Sequence, residues 1–283
     1  MTFFHRPARL LVPIFFLIIV CVPLLAQPVR ADIAKDGKIV IVLDPGHGGI
    51  DGGTDAGART EKATALKIGV ALKEILEKNE NFKVILTRDT DVYLTFIERT
   101  LVAKDNNADL FISLHCNSST ESYPNGNCAY VSVVDRFAAW DIAGDMLDNI
   151  SAAVPIRRGR VETRLDTGGT LGPYSWNDEK QWDMPGAVEL GKVSDYYSVI
   201  TFSSKFGIPS MILEHGYCSN AGDDAVLSND NSVWAIADAE ARALIQYYTG
   251  HTHDFGELET DYPSNCMWHG TASRRCKICG AKT

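Results

Sequence analysis

Four side chains stand where chemistry is most readily built in this sequence: His47, Glu61, His115 and Glu214. The apolar run beginning at Ile41 passes through Leu43-Asp-Pro-Gly-His47-Gly-Gly into a glycine-rich loop. Phe111-Ile-Ser-Leu-His115 ends a second apolar run on a histidine, and Met211-Ile-Leu-Glu214 ends a third on a carboxylate. Glu61 opens a helical pattern just after the loop, where an acid is favoured by the helix dipole. Two imidazoles and a carboxylate are a frequent ligand set for a catalytic Zn²⁺ that keeps one position for water, and a second carboxylate nearby can serve as the base. His47, Glu61 and His115 as ligands, with Glu214 as base, meet that requirement. Each residue alone has a plainer reading, as a hydrogen-bonded structural histidine or a helix-start acid. His215 is a further ligand candidate, but strand alternation turns its side chain away from that of Glu214. The loop lacks the Gly-Lys-Ser/Thr ending of a phosphate cradle.

These residues need a scaffold that gathers strand ends. Strand patterns cover Lys38 to Leu43, Lys83 to Thr87, Leu110 to His115, Ala129 to Val134 and Ser210 to Glu214. Helical spacing covers Glu61 to Lys78, Leu94 to Lys104, Ala138 to Ala152 and Ala235 to Tyr248. Continuous apolar strands between amphipathic helices predict an α/β fold, a mostly parallel sheet flanked by helices. Ligands in such sheets collect at the carboxyl ends of the strands. From about Arg160 to Asp195 the rhythm is broken by glycines, prolines, Tyr174, Trp176 and Trp182, which reads as an insertion.

The 283 residues are 45% hydrophobic and 22% charged, which excludes a disordered or fibrous chain. A net charge of −9 with no basic block in the body excludes general nucleic-acid binding. Arg6 and Arg9 precede an apolar run from Leu10 to Leu25, and Val29 and Ala31 fit a small-residue cleavage site. Residues 1–31 therefore read as a secretory signal peptide, with an uncleaved anchor as the alternative, and either one predicts an extracellular or cell-envelope location. Of seven cysteines, only Cys116, Cys128 and Cys218 lie in the body, and they read as buried thiols rather than a disulfide framework.

Leu43-Asp-Pro-Gly-His47-Gly-Gly, Glu61, Leu86-Thr-Arg-Asp89, Phe111-Ile-Ser-Leu-His115-Cys-Asn117 and Ile212-Leu-Glu214-His-Gly-Tyr-Cys-Ser-Asn220 occur in this order. The chain thereby resembles the zinc-dependent N-acetylmuramoyl-L-alanine amidases of the amidase-3 type, over about Lys38 to Tyr248. The resemblance implies a catalytic domain at 38–249, zinc ligands at His47, Glu61 and His115, and a catalytic glutamate at Glu214. It also implies peptidoglycan as substrate, cut at the amide between N-acetylmuramic acid and L-alanine. Arg88 and Arg99 match family positions and read as structural charges. Cys116, Cys218 and His215 depart from the family pattern and leave the ligand set intact.

The 160–195 insertion is longer than the usual connection. Some relatives cover the zinc with an insertion until a partner removes it; Glu179, Asp183 or Glu189 would be the plug here. A surface loop or a groove lip using Trp176 and Trp182 is the alternative. Residues 251–283 resemble a small Cys/His module, and the spacing Cys276-Lys-Ile-Cys279-Gly suits a metal knuckle in a segment too short to bury a core. His253, Cys266, Cys276 and Cys279 are its candidate ligands for a second, structural zinc. His269 rivals His253, and a disulfide among the cysteines is the competing reading. Two rival functions stand beside the amidase: another zinc amide hydrolase, and a catalytically silent wall-binding or regulatory protein.

Overall fold

The structure, a computed structural model, describes residues 37–56, 59–133, 137–166, 174–176, 194–250, 255–262 and 271–276. The expected signal peptide, most of the insertion, and His253, Cys266 and Cys279 lie outside the described residues; of Cys276 only the backbone is described. Among the described residues no helix is long and apolar enough to cross a membrane.

The chain opens with β1 (Ile39–Pro45), buried at every position, and after the glycine loop makes the short pair β2 (Asp55–Ala56) and β3 (Arg59–Thr60). Helix α1 (Glu61–Leu76) follows, and Ala65, Ile68, Leu72 and Leu76 recur at helical spacing on its buried face. Next come β4 (Phe82–Leu86) and α2 (Phe96–Asp105). Thr95 and Glu98 form a reciprocal capping box that sets where α2 starts. The chain then makes β5 (Leu110–Asn117), β6 (Cys128–Val131), α3 (Phe137–Ala153) and β7 (Val161–Asp166). Two short strands, β8 (Tyr174–Trp176) and β9 (Ser194–Asp195), precede α4 (Ser198–Lys205) and β10 (Ser210–Tyr217). Helices α5 (Ala221–Leu227) and α6 (Asp230–Thr249) complete the layer, and β11 (Phe255–Tyr262) pairs antiparallel with β12 (Thr271–Cys276).

The large sheet runs β4-β1-β5-β10-β6-β7-β8, with β9 also on β7. The four strands β4, β1, β5 and β10, from one edge to the middle of the sheet, are parallel, as the apolar runs predict. At β6 the direction reverses, and β7 returns parallel to β6. The insertion therefore begins and ends in the sheet, since both β8 and β9 pair antiparallel with β7.

Alternation divides the core between two faces. Ile41, Leu43, Ile112, Leu114, Met211 and Leu213 join one apolar cluster with residues of α1, α3 and α6. Val40, Val42, Phe111 and Ile212 join the other with residues of α2 and α4. Because β5 and β10 are in register at His115 and Glu214, alternation puts these two side chains together on the second face and turns His215 to the first.

Candidate metal centre and active site

Three donors meet at the carboxyl ends of β1 and β5: His47 two residues past β1, His115 two residues before the end of β5, and Glu61 at the start of α1. The ligand atoms of His47, Glu61 and His115 all lie within 4.8 Å of one another. His47 Nε2 is 3.1 Å from Glu61 Oε2, and His115 Nδ1 is 3.0 Å from Glu61 Oε1. The two rings meet edge to face with centroids 4.9 Å apart. Glu61 is buried and also accepts from the backbone N–H groups of Thr54 at 2.9 Å and Cys116 at 2.9 Å. The carboxylate is thus fixed by the chain around it, independent of any ion.

Backbone geometry aims the rings. His47 has φ +60, a left-handed conformation that a non-glycine residue holds only when its surroundings impose it. Asp51 accepts from its Nδ1 at 2.9 Å, which orients Nε2 toward Glu61. Asp51 is a site residue that sequence reasoning missed; the only signal was an acid four positions after His47 in the same loop. Gly46 is equally specific, because a Cβ there would lie 2.3 Å from His115 Cε1. Gly46→Ala is therefore expected to displace the imidazole and weaken divalent-cation binding by roughly 10-fold or more, measured by competition with a chromogenic chelator.

The two arginines are structural in role. Arg88 donates to the carbonyls of Pro45 at 2.8 Å and Gly46 at 2.7 Å. Arg99 donates to the carbonyls of Pro45 at 2.9 Å and His47 at 2.7 Å, and pairs with Asp44 at 2.8 Å. Thr87 and Ser113 complete the Asp44 carboxylate at 2.6 and 2.7 Å. This buried network holds the turn that carries His47.

Glu214 lies beside the triad in register with His115, and its Oε2 is buried without a hydrogen-bond partner. Burial pushes its pKa up to about 7, so the carboxyl exchanges protons near neutrality. For His47, burial lowers proton affinity, but Glu61 and Asp51 outweigh it and raise the pKa to about 9. Burial acts to raise the pKa of Glu61, and the two imidazoles outweigh it and hold the carboxyl well below the usual range. A carboxylate set between two imidazoles is a donor set suited to a divalent cation. Glu214 is in register with Cys128 of β6, and Cys128 helps line a cavity of about 340 Å³ with Tyr130, Arg157, Arg160, Glu162 and Tyr217.

His215 points away from this group, as strand alternation predicts: it is fully buried against Glu240 of α6. Cys116, Cys128 and Cys218 form no disulfide among the described residues, and Cys116 and Cys218 belong to the core.

Fold and site together define an α/β domain with a candidate cation site of two histidines and one glutamate and a half-buried carboxyl beside it. The Amidase_3 family model, described as N-acetylmuramoyl-L-alanine amidase, matches residues 41–246, and the chain belongs to that family. The chain is 27% identical over 237 residues to the N-acetylmuramoyl-L-alanine amidase AmiC of Escherichia coli O6:H1, covering 78% of this chain and 55% of that protein. It thus spans about half the length of that relative. It is 40% identical over 81 residues to the sporulation-specific N-acetylmuramoyl-L-alanine amidase of Bacillus subtilis, which is 28% of this chain and 32% of that one. Among solved structures, the catalytic domain of CwlV, the amidase from Bacillus (Paenibacillus) polymyxa var. colistinus, superposes with a TM-score of 0.58 at 26% identity. That match covers 75% of this chain and 98% of CwlV.

Proposed function

We propose that this chain is a secreted, zinc-dependent hydrolase of the cell wall that cleaves the amide between N-acetylmuramic acid and L-alanine in peptidoglycan. The observation that carries the reading is the meeting of His47, Glu61 and His115 within 4.8 Å, with the half-buried Glu214 carboxyl on the adjoining strand, in a chain of the amidase family. His47, Glu61 and His115 would hold the ion. When bound, zinc polarises a carbonyl and makes water acidic at neutral pH. Glu214 takes a proton from the attacking water and returns it to the departing L-alanine amine; a pKa of about 7 suits both transfers. The cavity lined by Cys128, the strand partner of Glu214, carries arginines and a glutamate, which suits the charged peptide side of the bond rather than an apolar ligand. The leader at 1–31 would deliver the enzyme to its substrate. His253, Cys266, Cys276 and Cys279 would staple the C-terminal segment with a second zinc.

The test is mass spectrometry of purified peptidoglycan after digestion with the full mature chain, with and without chelator. The expected products are stem peptides with a free L-alanine amine, lost on chelation and restored by zinc. Intact glycan–peptide linkages under all conditions would favour the silent wall-binding reading. Cleavage at a different amide would assign another hydrolase activity.

A further inference from the structure

The fold buries an ionisable pair directly behind the site. His215 and Glu240 are both fully buried, with His215 Nε2 2.5 Å from Glu240 Oε1. Glu240 occupies the apolar stripe of α6, between Val233, Ile236 and Ala237 on one side and Leu244 on the other. A carboxylate at such a position is costly unless it is partnered, so packing alone gives no reason for it. The other ring nitrogen of His215, Nδ1, lies 2.7 Å from the backbone carbonyl oxygen of His115. A carbonyl can only accept, so Nδ1 carries a proton, and the orientation of the ring is settled by α6 at one end and β5 at the other.

The contact falls where the β5–β10 ladder changes register, between Glu214 and Tyr217. A register change relaxes the backbone constraint on the residues beside it, and here those residues are His115 and Glu214. His215 is the immediate neighbour of Glu214 in β10, and its ring reaches the backbone of His115 in β5. One imidazole therefore ties the strand that carries the carboxyl to the strand that carries the histidine.

We propose that His215 and Glu240 are a positioning pair: through the bond to the His115 carbonyl they hold His115 and Glu214 in the relative placement that metal binding and proton transfer require. The inference rests on reading His115 as a metal ligand. Partners that orient a ligating histidine typically change metal affinity or activity by roughly 10–100-fold when removed.

The informative variants separate the two bonds. In His215→Gln the amide takes the place of Nε2, so contact with Glu240 can persist while the bond to His115 is lost. The double variant His215→Leu with Glu240→Leu removes both polar groups and leaves no lone buried charge, an exchange that is often neutral for stability. Each is measured in the full chain for thermal midpoint, zinc affinity by chelator competition, and kcat and KM on peptidoglycan fragments. The expected result is zinc affinity at least about 10-fold weaker and kcat at least about 10-fold lower, with KM within about twofold, in whichever of the two variants folds. Glu240→Gln, whose amide can still donate to the ring, is expected to recover most of both. Zinc affinity and kcat within about twofold of the unaltered chain in a folded His215→Gln protein would overturn the inference and leave the pair a packing device. Zinc affinity is read separately from hydrolysis, so an unaltered chain that binds zinc without cutting peptidoglycan would sink the amidase reading and still leave the pair testable.

Discussion

Glu214→Gln is expected to lower kcat by about 10²–10⁴-fold while zinc content and fold stay as they were, which is the range for removing a positioned general base. The side chain keeps its size and half its acceptor capacity, so the neighbouring backbone has no cause to move. What is lost is the ability to hold a proton between two steps. Glu214 Oε2 has no hydrogen-bond partner in the structure, so an amide nitrogen in its place breaks no hydrogen bond there. His47, Glu61 and His115 remain within 4.8 Å of one another, and the metal content of the variant should match that of the parent. Stopped assays with mass-spectrometric detection and elemental analysis on the same preparation read both quantities. Undiminished turnover would remove Glu214 from the mechanism, and loss of zinc along with turnover would make it a ligand.

The second large effect concerns stability. Arg99→Met is expected to cost about 3–5 kcal/mol, because it strands Asp44 as an unpaired buried charge. The two side chains are 4% and 1% exposed, so solvent cannot take over from the guanidinium. The same substitution frees the carbonyl of His47 and leaves that of Pro45 to Arg88 alone, in the turn that keeps His47 in its left-handed conformation. Thermal unfolding should show a fall of about 10 °C, given about 2–4 °C per kcal/mol for a domain of this size. Adding Asp44→Asn should return part of the loss, since the stranded charge is then gone. A midpoint within about 2 °C of the parent would show that water reaches Asp44 and that the network is less closed than its geometry implies.

The strand-end histidines, Glu61 and the glutamate of β10 were legible in the sequence for a physical reason. A buried parallel strand is a continuous apolar run, and a polar residue that ends such a run marks the sheet edge where ligands collect. Alternation likewise foretold that His215 would face away from Glu214. Helix α6 was under-read at its start, Asp230 rather than Ala235, because its first turn is polar and its signal is the Asn229 cap rather than periodicity. Helices α4 and α5 were not anticipated: at eight and seven residues they are too short to show a stripe.

The sequence by itself determined the family, through its ordered motifs, and the parallel part of the sheet, through residue type and local period, and it nominated four side chains for the chemistry. Only the tertiary structure decided that three of them converge on one point, that Arg99 and Asp44 lock the turn beneath His47, and that Glu240 reaches across from α6 to His215. Those contacts join residues between 14 and 68 positions apart. Local patterns of period 2 or 3.6 carry no information about such distances; packing the helices on the sheet sets them.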